Sequence, residues 1–129
     1  MRLAGQQHFE PSDVDDFGEA IFGAPMPAAF RCAIARADGL VRKTVFEGVR
    51  SGIGIDQRWF VENCSIPLAV VNGSDDPFVK LDYFETPRYA NLWSGRCHHL
   101  PGLKHAPFWE ASDVFDELLE KFVDDVTAR

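Results

Sequence analysis

The stretch that most constrains the fold is Leu68-Ala69-Val70-Val71, an unbroken apolar run that ends in Asn72-Gly73-Ser74-Asp75-Asp76-Pro77. A strand with one wet face alternates apolar and polar residues. A continuous apolar run bounded by turn residues instead suits a strand buried on both faces, as in a parallel sheet covered by helices. Parallel neighbours need a crossover of about a dozen residues or more, usually with a helix in it. The chain supplies one. Leu81 to Tyr89 predicts a short helix broken at Pro87, and Arg96-Cys97-His98-His99-Leu100 a second strand closed by Pro101-Gly102. Val114, Phe115, Leu118, Leu119, Phe122, Val123 and Val126 then recur at three- and four-residue steps, which predicts a final amphipathic helix with Ser112 as its cap.

Upstream the pattern is helical. Ser12-x-x-Asp15 reads as a capping box, followed by Val14, Phe17, Ile21 and Phe22 on one face and a stop at Gly23 and Pro25. A second helix is expected from Pro27 to Gly39, a third through Leu40, Val41, Val45, Phe46 and Val49, and a fourth from Asp56 to Asn63. Phe46, Trp59 and Phe60 are expected in the core. Residues 1–10 read as a short strand and loop. The expected division is thus a helical segment over residues 1–64 and an α/β segment over residues 65–129.

The chemistry sits at the ends of the two strands. Asp76 follows the first and His105 follows the second, where open α/β sheets place their sites. A carboxylate there can accept the Nδ1–H of the imidazole and fix its tautomer. The other ring nitrogen is then free to take a proton from a nucleophile. Asp75-Asp76 before Pro77 also suits a plain turn or helix cap, and a loop histidine can serve only a backbone carbonyl. Phe108 and Trp109 follow the histidine as candidate pocket residues or as core under the last helix. Cys97, His99 and His105 fit no usual zinc spacing, so no metal is expected.

Composition removes other classes of function. A formal charge of −7, with 13 scattered basic residues, argues against a nucleic-acid partner. No apolar run approaches the roughly 20 residues a membrane span needs, and Met1–His8 lacks the apolar core of a secretory signal. Three widely spaced cysteines, Cys32, Cys64 and Cys97, suit reduced thiols, and with them a cytoplasmic location.

Pro67 to Val79 and His105-Ala106-Pro107-Phe108-Trp109-Glu110 together resemble the C-terminal part of the α/β-hydrolase superfamily. The resemblance implies an α/β fold: the C-terminal end of an α/β-hydrolase, two parallel strands with helices, preceded by a small helical lid. It selects Asp76 over Asp75 as the acid, makes His105 the general base, and implies an ester or related acyl substrate with no cofactor. Two departures stand out. Lys104 occupies the place before the histidine where the family has a small residue. The family's nucleophile belongs on a G-x-S-x-G elbow, and none of Ser12, Ser51, Ser65, Ser74, Ser94 and Ser112 has that setting.

The expectation is therefore a hydrolase lacking its nucleophile segment, with a serine supplied from elsewhere. The other reading is a non-catalytic remnant or interaction module of the same fold. Either way the strand at Leu68–Val71 has one encoded neighbour and an open edge. That predicts marginal stability, or association with a complementary chain or a second copy.

Overall fold

The computed structural model describes residues 3–23 and 25–128 and divides into two compact units, Met1–Ile55 and Asp56–Arg129.

The first unit is helical. After a 3-10 turn at Leu3–Gly5 come α1 (Pro11–Phe22), α2 (Ala28–Arg36) and α3 (Gly39–Arg50). The expected strand before residue 10 is absent among the described residues, and Met1 and Arg2 lie outside them. The cap of α1 is not Ser12 with Asp15 but Glu10 with Asp13, whose Oδ2 accepts from Glu10 N at 3.0 Å. Pro11 decides this register, because its fixed φ and missing N–H suit the first helical position. Residues 27–39 do not form one helix up to Gly39. Ala37 turns extended, and Asp38 caps the next helix by accepting from Leu40 N at 2.9 Å. Gly39 is required there, since a Cβ would lie 1.7 Å from Gln7 O. Arg42 stacks 4.2 Å over the Phe9 ring, which meets Phe17 edge-on.

The second unit carries the sheet. Helix α4 (Gln57–Asn63), capped by the Asp56 carboxylate, is tied to the loop at residues 88–90. Val61 O accepts from Ala90 N, and Glu62 accepts from Arg88 N. Strands β1 (Val71–Gly73) and β2 (His98–Leu100) pair in parallel, Val71 opposite His98 and Gly73 opposite Leu100. Between them lies the crossover with its helix α5 (Leu81–Phe84). Of Leu68–Val71, only Val71 belongs to the ladder. The run reaches it through an isolated parallel bridge from Leu68 to Leu92, and the regular pairing sits beside the turn. A short helix α6 (Pro107–Glu110) leads into α7 (Ser112–Thr127). Ser112 is the first residue of α7 rather than its cap, because Ala111 makes the bend and its N–H is taken by Pro107 O.

Burial departs most from expectation. The buried apolar side chains among the described residues are Val14, Trp93, Cys97 and Ala106, with Pro107 beside them. Trp59 and Phe60, expected in the core, are 61% and 46% exposed. The apolar stripe of α7 has no buried residue, and Leu119 is 46% exposed. Periodicity sets which face of a helix is apolar; it does not provide the surface that covers it.

A candidate active site

Two loops, one after each strand, are stitched together by short hydrogen bonds. Ser74 N donates to Leu100 O and Asp75 N to Leu103 O, both at 2.9 Å, while Gly102 N donates to Ser74 Oγ at 2.8 Å. Two glycines make this closeness possible. A Cβ on Gly73 would sit 2.1 Å from both Leu103 O and Lys104 O, and Gly102 takes φ +74, a region costly for residues with a side chain. Asp75 stays exposed and accepts from Ser74 Oγ. Asp76 turns inward.

The Asp76 side chain is 2% exposed, and every oxygen is used. Oδ1 accepts from Phe78 N at 2.8 Å and Val79 N at 3.2 Å, an Asx turn that fixes the carboxylate plane. Oδ2 lies 2.8 Å from His105 Nδ1. An ionised carboxylate can only accept, so Nδ1 donates in this bond and Nε2 is the ring nitrogen left facing outward. Phe78 packs edge-on against the imidazole, centroids 5.0 Å apart. Nε2 has no hydrogen-bond partner among the described residues, and the His105 side chain is 41% exposed. The pair is thus buried at its acid and open at its base.

Glu110 holds the histidine loop and was missed in the sequence. Its carboxylate accepts from Lys104 N at 2.9 and 3.0 Å and from Ala106 N at 3.3 Å, bracketing His105. The available signal was an acid five residues after the histidine, across a one-turn helix begun by Pro107. Lys104, which departs from the family pattern, is therefore held by its backbone amide.

Beside the imidazole an apolar trough of about 520 Å³ opens along one face of the unit, lined by Leu68, Ala69, Val71, Phe108, Phe115 and Leu119 as well as His105. Phe108 is 55% exposed there and meets Phe115 edge-on. Trp109, the other candidate pocket residue, is 47% exposed and does not belong to the lining.

A second histidine contact had no signal in a motif search. Ser94, at φ 55, places Oγ 2.8 Å from Nε2 of His98, whose ring stacks on Trp93, and Trp93 Nε1 donates to Asp125 of α7. Burial lowers the His98 pKa, and Arg96, His99 and Lys121 lower it further, so the ring is neutral at pH 7. It lies at the start of β2, whereas His105 follows its end. His99 points the other way, to Glu85 at 3.0 Å, as adjacent strand residues must. Burial, with Cys97 alongside, pushes the Tyr89 phenol up to about 12, and burial likewise raises the Cys97 thiol. No group of three ligating side chains suited to a metal occurs among the described residues. No helix among them is long and apolar enough to cross a membrane.

The fold has close counterparts among solved structures. An N-acyl homoserine lactonase, AidH, in a serine-to-glycine variant complexed with N-hexanoyl homoserine lactone, superposes with a TM-score of 0.94 at 41% identity. The match covers 99% of this chain and 47% of that one. The chain folds as the C-terminal portion of an α/β-hydrolase. It spans about half the length of the hydrolases it matches. AidH complexed with N-butanoyl homoserine gives a TM-score of 0.93, also at 41% identity, over 98% of this chain and 46% of that one. An esterase from Rhodococcus sp. ECU1013, RhEst1, shares the hydrolase fold at a TM-score of 0.71 and 22% identity, over 98% of this chain and 48% of its own. No family model and no curated protein matches the sequence.

Proposed function

We propose that the chain contributes the acid and base of a serine hydrolase acting on carboxylic esters or acyl lactones. Asp76 orients His105 and stabilises the imidazolium. Nε2 takes the proton of an attacking serine hydroxyl as its oxygen bonds to the substrate carbonyl, then returns that proton to the leaving alkoxide. Water repeats the sequence to release the acid. The serine lies on polypeptide outside these 129 residues, since no G-x-S-x-G occurs among them. Phe108 faces the acyl group of the substrate, and the lid element is the helical unit Met1–Ile55 rather than all of residues 1–64, since α4 belongs to the second unit.

The observation that carries this reading is the 2.8 Å contact from a 2% exposed carboxylate to an imidazole whose other nitrogen is open. The likeness to a lactonase with bound acyl homoserine lactone supports the substrate class. The test is hydrolysis of an activated ester and of N-hexanoyl homoserine lactone by the chain joined to a hydrolase N-terminal portion. His105→Ala should lower turnover by about three to six orders of magnitude and Asp76→Asn by about four. Turnover by His105→Ala equal to the parent would refute the assignment.

A further inference from the structure

Ser94 and His98 make a contact that the chemistry at His105 does not use. Ser94 and Gly95 take φ 55 and φ 68 in succession, the pattern of a tight turn more often made by Asn-Gly. Ser94 is the one residue with a side chain at positive φ among those described, a conformation serine holds only against its steric preference. The turn leaves Ser94 exposed and sets its Oγ 2.8 Å from Nε2 of His98. The imidazole is fixed on its other sides. His98 is 8% exposed, and its ring stacks on Trp93 with centroids 4.9 Å apart. Trp93 is in turn held to α7, by Nε1 donating to Asp125 at 2.9 Å and by an edge-on contact with Phe122. Burial, with Arg96 beside the turn, His99 next in the strand and Lys121 on α7, keeps the ring neutral at pH 7, while Asp125 is taken up by Trp93. A neutral imidazole bonded to an exposed hydroxyl is the pair that base-assisted attack requires.

We infer that Ser94 is a second acyl-acceptor site, with His98 as its base, open to esters that have a good leaving group. Oγ bonds to the carbonyl carbon of an aryl or enol ester, and the hydroxyl proton passes to Nε2. The aryl or enol oxygen departs with the bonding electron pair, and Nε2 returns the proton to solvent. The product is an ester on Ser94. What the pair lacks sets the class of donor. Nδ1 of His98 has no hydrogen-bond partner among the described residues, so no carboxylate there stabilises the imidazolium as Asp76 does on His105. Base assistance alone then serves only donors whose leaving oxygen is stable as an anion. For the same reason water attacks the Ser94 ester slowly, and the acyl group accumulates instead of turning over. The site is independent of the function proposed above, since it needs no polypeptide beyond this chain.

The full chain, its thiols first capped with iodoacetamide, is treated with 4-nitrophenyl acetate. Release of 4-nitrophenolate is followed by absorbance, and the adduct is located by peptide mass spectrometry. A burst of about one equivalent on Ser94 is expected, roughly a hundredfold faster than acylation of the exposed Ser51 or Ser112. The rate should be level above about pH 6.5 and fall below that value, because protonated His98 cannot accept the hydroxyl proton. His98→Gln keeps a polar partner for Ser94 but no base, and should lose the enhancement. Lys121→Gln, at an exposed position of α7, should move the pH midpoint upward, since Lys121 is one of the charges that lower it. Ser94→Gly suits the positive φ and should abolish the burst while circular dichroism stays unchanged. No adduct at Ser94, or a label shared evenly among exposed serines, overturns the proposal. So does a rate that keeps climbing with pH in the parent and in His98→Gln alike, which would leave the contact as a tie between turn and strand.

Discussion

Glu110 should govern the stability of the histidine loop more than any residue named by its chemistry. In Glu110→Ala the Lys104 amide loses acceptors at 2.9 and 3.0 Å, and the Ala106 amide loses one at 3.3 Å. Leaving a buried donor unmade costs about 1–3 kcal/mol. Lys104 N is part-buried and recovers some of this from water, while the Ala106 bond is long, so both contribute at the low end. Together they come to about 2–3 kcal/mol, a large share of the roughly 5–15 kcal/mol that a domain commands. Glu110→Gln keeps one carbonyl oxygen for Lys104 N and should cost about 1 kcal/mol, since it exchanges a charge-assisted bond for a neutral one. Urea unfolding followed by circular dichroism measures the ranking, and hydrogen exchange at the Lys104 and Ala106 amides locates it. Equal midpoints for Glu110→Ala and the parent, with unchanged protection of those amides, would refute the reasoning.

Gly73→Ala should also act on this loop. A Cβ 2.1 Å from two carbonyl oxygens cannot be housed without moving backbone, so the cost should be about 1–3 kcal/mol in a urea titration. An unchanged midpoint would show that the loop yields freely. His98 makes stability pH-dependent. Its folded pKa lies below the ordinary 6.5, so on acidification the unfolded chain takes a proton that the folded chain refuses. The His98 contribution is complete above about pH 6.5 and falls as pH drops through that value toward the lowered one. Urea midpoints at pH 7.5 and 5.5 should therefore converge in His98→Gln relative to the parent; parallel loss in both would exclude His98 as the cause.

The strand, the acid and the histidine were legible because each rests on a local pattern: an apolar run, a glycine before paired acids, a proline-led helix after the imidazole. Their meeting followed from one crossover between parallel neighbours. What escaped depends on partners that a one-dimensional pattern does not name. The ladder sits at Val71–Gly73 because the loop bonds from Ser74 and Asp75 lock the strand ends together, which the Leu68–Val71 run alone could not indicate. Trp59, Phe60 and Leu119 carry core-like spacing and are nonetheless open, since the pattern states a preference for burial and not the presence of a cover. Ser94 reached His98 through a left-handed backbone angle that nothing about serine foretells.

For the hydrolase proposed above, these differences separate what the base needs from what the nucleophile needs. Orientation of His105 is complete within the stretch from Gly73 to Glu110: one carboxylate held by two amides, one aromatic edge, one clamp on the loop backbone. All of it lies within that stretch, and none of the orienting residues Asp76, Phe78 and Glu110 lines the trough. In the proposed reaction the attacking oxygen has only to arrive at Nε2 within hydrogen-bond reach, so it can come from polypeptide outside these residues. If the base were ordered only on docking, the incoming segment would have to offset that entropy as well as its own. With the imidazole already fixed, the ordering cost falls on the segment that carries the serine.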